Sequence, residues 1–175
     1  ASIQAEDGRW DLSENAGAAN HDMAATGFAL LAFYGRGERH DEECQYREVV
    51  EKGIKWLIDQ QDKGDGDLRG KDPRGDMYDH GIAALALVEA YGVTKDTALR
   101  PKAQASIDFI AETQHEEGGW RYGPNERGDL SVTGWVIMAL ASAQMSGIRV
   151  EKKTVDGAAK FLKFVSKGKN GGGYG

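Results

Sequence analysis

Two kinds of apolar pattern alternate along this chain. The first is apolar almost all round. GIAALALVEAY, from Gly81 to Tyr91, carries one charge, Glu89, and the runs Phe28–Tyr34 and Trp135–Ala143 read likewise. A run of that kind predicts a helix covered on every side. The second kind is amphipathic. Val50, Ile54, Leu57 and Gln61 fall at i, i+4, i+7 and i+11, with Glu51, Lys55 and Asp59 outward. Ala103, Ile107, Ile110 and Gln114 repeat the spacing. One face is wet and one is buried. No stretch alternates with period two over a strand length, so the expected class is all-α.

The two patterns recur in phase. The apolar runs are D22-MAATG-FALLAF, D76-MYDHG-IAALAL and D129-LSVTG-WVIMAL, with steps of 76 − 22 = 54 and 129 − 76 = 53. The amphipathic segments keep the same step, 107 − 54 = 53 from Ile54 to Ile107. Between them lie recurring marks. QAEDGRW at 4–10 and QHEEGGW at 114–120 share Gln, three residues, Gly, one residue, Trp. Gln60, Gly64 and Gly66, followed by Leu68, keep that spacing without the aromatic, and Gly168, Gly172 and Tyr174 form a fourth mark. The pattern predicts one domain over 1–175 with repeats at about 10–67, 68–119 and 120–174. Each repeat is a helical hairpin. Fully buried helices form an inner layer and amphipathic ones an outer layer.

QxxxGxW in phase with Asp-x4-Gly resembles the QW motif of the triterpene cyclase and protein prenyltransferase superfamily. MYDHGIAALALVEAYG is similar to the squalene cyclase-like repeat proteins of bacteria. The resemblance covers essentially the whole chain. It implies an α/α toroid, here an incomplete one of three helical hairpins in two concentric layers. It also implies that Gln4 pairs with Trp10 and Gln114 with Trp120, as clamps at helix ends. The family's cyclases protonate an alkene with the middle Asp of DxDDTA. In D129-L-S131-V132-T133-G134 that place holds Ser131, and in D22-M-A24-A25-T26-G27 it holds Ala24. The resemblance therefore implies a module without the cyclase acid in these copies, binding an apolar small molecule or a protein at its concave inner face. The alternative is a terpenoid cyclase or prenyltransferase-type enzyme whose catalytic residues lie elsewhere in a longer chain.

Composition narrows the partners. A formal net charge of -6 argues against nucleic-acid binding. No apolar stretch reaches the ~20 residues of a membrane span. One cysteine, Cys44, excludes an internal disulfide, paired-cysteine zinc sites and the CGEQ thioester of complement-type toroids. No cofactor is implied. Candidate chemistry concentrates in the middle copy, where Asp76, Asp79 and His80 stand within five residues. They suit a catalytic or metal-dependent role, with His21 and Asp22 one inner helix away. The plainer expectation has Asp76 or Asp79 capping the helix and His80 bonding a backbone carbonyl. Asp22 and Asp129 are expected as N-caps. Trp10, Tyr78, Trp120, Tyr122 and Tyr174 serve either as clamps or, with His21, Asp22 and Asp129, as the lining of a ligand pocket. DKGDGD at 62–67 reads as a solvated turn and ERHDEE at 38–43 as a solvated linker. Three hairpins cut at one phase suggest part of a longer toroid. They would leave apolar edges at Phe28–Phe33 and Phe161–Val165, through which copies could self-associate.

Overall fold

A computed structural model describes residues 4–12, 21–61, 65–70, 75–167 and 173–174. Six helices lie within them: α1 (Asp22–Gly35), α2 (Arg47–Gln60), α3 (Met77–Thr94), α4 (Arg100–Glu112), α5 (Leu130–Ser146) and α6 (Lys152–Val165). A two-residue antiparallel pair follows, β1 (Ser166–Lys167) with β2 (Gly173–Tyr174). The fold is all-α, and no helix of the described residues is long and apolar enough to cross a membrane.

Helix α3 lies between α1 and α5 and packs on both, while α2, α4 and α6 rest against α1, α3 and α5 in turn. The sequence dictates this placement. From Met77 to Ala90, α3 is buried apart from Tyr78 and Glu89, because nearly every position is apolar and can face a neighbour. In α6, Thr154, Ala158 and Phe161 are buried while Lys152, Lys153 and Lys160 face water. Phe161, expected on an open edge, instead lies against Gly119 and Gly128 and is 2 % exposed. Phe33 is half-buried between Trp10 and Tyr46. The exposed apolar residue of α6 is Phe164, at 66 %.

The helix starts are capped by two different means. Asp129 accepts the Val132 N–H at 2.9 Å and caps α5. Asp76 accepts the Tyr78 N–H at 2.7 Å, and Asp79 returns a bond to the Asp76 N–H at 3.1 Å, closing a capping box on α3. Asp22 does not cap α1, contrary to expectation. It is the first residue of that helix, and it accepts the Leu12 N–H at 3.0 Å while facing Arg9. The Ala24 N–H of α1 is satisfied from α3, by Asp79 Oδ1 at 3.1 Å.

The marks join the outer helices. Gln4, Gln61 and Gln114 each donate Nε2–H to the third residue of the following outer helix: Val49 O at 2.9 Å, Lys102 O at 3.0 Å and Thr154 O at 3.0 Å. The glycines that follow, Gly8, Gly66 and Gly118, have φ of +102°, +78° and +97°. A Cβ there would stand 2.3, 2.0 and 2.0 Å from the carbonyl oxygens of Lys52, Ala105 and Gly157. Only glycine meets both demands. In the second mark these roles fall to Gln61 and Gly66. Residues 62–64 of that loop and the Tyr174 side chain lie outside the described residues.

Trp10 and Trp120 are buried beneath the marks. Their backbone N–H groups donate to the hydroxyls of Thr26 and Thr133, each at 3.0 Å, and the Trp120 indole donates to Ile110 O at 2.9 Å. The Gln4 and Gln114 amides donate to backbone carbonyls, those of Gly8 and Gly118 within the marks and those of Val49 and Thr154 beyond them, and no Gln hydrogen bond goes to a Trp ring among the described residues.

Candidate functional site

The ends of α1 and α3 meet at a buried carboxylate. Asp79 has no exposed side-chain surface, and the His21 Nδ1–H donates to its Oδ2 at 2.7 Å. Oδ1 accepts the Ala24 N–H, and Oδ2 also accepts the Asp76 N–H. Burial raises the Asp79 carboxyl above its ordinary range, and the bonds from His21 and the two amides only partly offset this. The bond to Asp79 raises His21 above its ordinary value, against a smaller opposing effect of burial. The imidazole is 38 % exposed, so the pair joins a dry acid to a wet base.

This pair is peculiar to one joint. Counting from Asp22, Asp76 and Asp129, the place before the Asp holds His21, Gly75 and Gly128, and the third place after it holds Ala25, Asp79 and Val132. The corresponding places for the α3–α5 joint hold Gly75 and Val132, which cannot form such a pair.

Donor atoms of His21, Asp76 and Asp79 lie within 4.8 Å of one another. The surroundings suit negative charge, however. The positive ends of α1 and α3 converge there, and their amides already occupy oxygens of both carboxylates. In this arrangement Asp79 links the His21 imidazole to the helix-end amides of Ala24 and Asp76.

His80, one residue beyond Asp79, stands apart from it. Its Nδ1 accepts the Leu68 N–H at 3.0 Å and its Nε2–H donates to Ser106 O at 3.0 Å. Both ring nitrogens are spent on the backbone. The fully buried imidazole occupies the slot that Thr26 and Thr133 fill in the other hairpins, and Leu68 occupies that of the tryptophans. Burial depresses its pKa to about 4.

The other sequence candidates separate into groups. The Tyr78 hydroxyl donates to Ser131, whose hydroxyl donates to Asp129 Oδ1 at 3.0 Å. The Tyr122 ring lies 6.2 Å from that of Tyr78, so these four residues form one polar edge at the start of α3 and α5. Trp10 and Trp120 belong to the core, and Asp22 accepts the Leu12 N–H and faces Arg9.

A second feature escaped the motifs. Across α1, α3 and α5 runs an apolar groove of about 390 Å³, lined by Phe28, Leu31, Leu85, Glu89, Trp135 and Met138 among others. Phe28 meets Trp135 edge-on at 5.1 Å, and Phe28 and Met138 remain 45 % and 51 % exposed. On α3 the floor follows one stripe, Gly81, Leu85, Glu89 and Val93, at steps of four. The signal in the sequence was that stripe, with the lone charge of the run upon it. Glu89 Oε1 accepts the buried Ser142 hydroxyl at 2.6 Å.

No known family profile, curated protein or solved structure matches this chain.

Proposed function

We propose that this chain is an incomplete α/α-toroid module of the squalene cyclase-like kind, and that it binds an apolar small molecule in the groove across α1, α3 and α5. The toroid reading is supported by two helix layers joined by the same Gln and Gly contacts at three successive marks. The binding reading rests on the groove itself. Its volume falls within the ~300–1,000 Å³ of small-molecule pockets, and it keeps aromatic and aliphatic side chains exposed without a neighbour to cover them. Binding is favoured over cyclisation by the occupants of the family's acid position. Ala24 and Ser131 cannot protonate an alkene, and the corresponding residue of α3 is Tyr78. The carboxylate beside it, Asp79, is held by helix-end amides.

The test is titration with farnesol, an isoprenoid alcohol, followed by calorimetry and tryptophan fluorescence. Saturable one-to-one binding that Met138→Glu abolishes, with the alcohol recovered unchanged, supports the module. Binding that Met138→Glu leaves intact would remove the groove from consideration. A cyclised or transferred product from squalene or farnesyl diphosphate would replace binding by catalysis.

A further inference from the structure

The groove has one charge, Glu89, in an otherwise largely apolar lining. Glu89 is half-buried on the α3 stripe, between Leu85 and Val93. One carboxylate oxygen takes the Ser142 hydroxyl, and among the described residues the side chain has no ion-pair partner. The cations at the C-terminal ends of α1 and α3 are directed elsewhere. Arg36 faces Glu38 at 3.7 Å, while Lys95 donates to Ser146 O at 3.2 Å and covers the Tyr91 ring. The Tyr34 hydroxyl, on the same wall, is spent on His40 Nδ1 at 2.9 Å.

The Ser142 hydroxyl serves one oxygen of this carboxylate, and on an apolar floor a positive charge at the other stabilises it further. Phe28 and Trp135 line the same groove, and the face of an aromatic ring attracts cations as well as apolar groups. Resting on the groove's role as a binding site, we propose that its ligand is a cationic amphiphile. An ammonium group sits against Glu89, and an apolar body lies along Phe28, Leu31, Trp135 and Met138. Glu89 fixes the ligand's orientation and its charge class, and the aromatic pair fixes its body. Ser142 takes Oε1, which leaves Oε2 for the ammonium group.

Three probes with one tail and different heads test this: dodecylammonium, dodecanol and dodecanoate, each below its micellar concentration. Calorimetry with the whole chain should rank ammonium above alcohol by roughly ten-fold, as a charge-assisted bond would, and carboxylate last. Glu89→Gln should keep the fold and its melting temperature while bringing ammonium and alcohol to equal affinity. Ser142→Ala, which leaves the charge in place, should retain the preference for ammonium.

Equal binding of all three heads by the native chain would overturn the role of Glu89 while leaving the groove intact. Failure of all three to bind would defeat the groove reading itself. Preference for a lysine-bearing helical peptide, with the free amines unbound, would assign the site to a protein partner and overturn the small-molecule assignment.

Discussion

Acidification from pH 7 towards 4 should destabilise this protein through His80. The imidazole is fully buried, and a second ring proton would have to sit on Nδ1, which now accepts the Leu68 N–H. The folded pKa is depressed from 6.5 to about 4. A depressed histidine contributes stability above its unfolded pKa, and that stability is lost as pH falls, because the unfolded chain takes up the proton first. The span from 6.5 to about 4, at 1.36 kcal/mol per pH unit, corresponds to ~3 kcal/mol. That is a large share of the 5–15 kcal/mol typical of a domain. His21 acts with the opposite sign and in another window. Its pKa is raised, so its contribution is complete below 6.5 and fades as pH rises through the folded value. Urea denaturation at a series of pH values between about 7 and 4 measures the slope. The same series on His80→Gln, which is neutral throughout, should start from lower stability and lose about one proton's worth of slope. An acid slope identical in the two proteins would refute the assignment.

Two further outcomes are expected. Gly118→Ala should cost at least ~2 kcal/mol, because it combines a left-handed φ with a Cβ 2.0 Å from Gly157 O; Gly134→Ala in α5, whose Cβ meets nothing within 4 Å, should be neutral or stabilising by up to ~1 kcal/mol. Thermal melts of the pair decide whether close approach or helix propensity governs. In Asp79→Asn, His21 should titrate closer to 6.5 than in the native chain, as followed by the imidazole proton resonances; an unmoved titration would show that the ion pair does not form.

The layering was legible because it depends on composition along single helices. A helix as apolar as α3 has nowhere to go but between neighbours, and the caps Asp76 and Asp129 could be read from their place before such runs. Asp22 stands in the same place and misled, because the amide it should have served is taken by Asp79, 55 residues away in sequence. The grouping of Asp79 with His80 failed for a geometric reason. Adjacent residues on a helix point about 100° apart, so one reaches α1 and the other the loop and α4. The plainer expectation for His80, a bond to a backbone carbonyl, is what Ser106 O provides. The repeat phase predicts His21 beside Asp79, and the structure brings them together without Asp22 or His80. The groove needs a register between helices that no single segment contains. The lone charge of α3 was noticed in the sequence, but only the positions of Phe28 and Trp135 turn it into the floor of a groove.

The central position of α3 also sets an order in time. The first hairpin separates by breaking its contacts with the second and the Phe28–Trp135 contact, and the third does the same, but the second cannot open without disturbing both. The outer hairpins touch chiefly the middle one, with the Phe28–Trp135 ring contact reaching across it, so opening is expected to proceed from the ends inward. The amides of α3 therefore exchange with solvent only in the rarest and largest openings. Those of α1, α2, α5 and α6 exchange through smaller ones, so the groove walls loosen while its floor, with Glu89, stays in place.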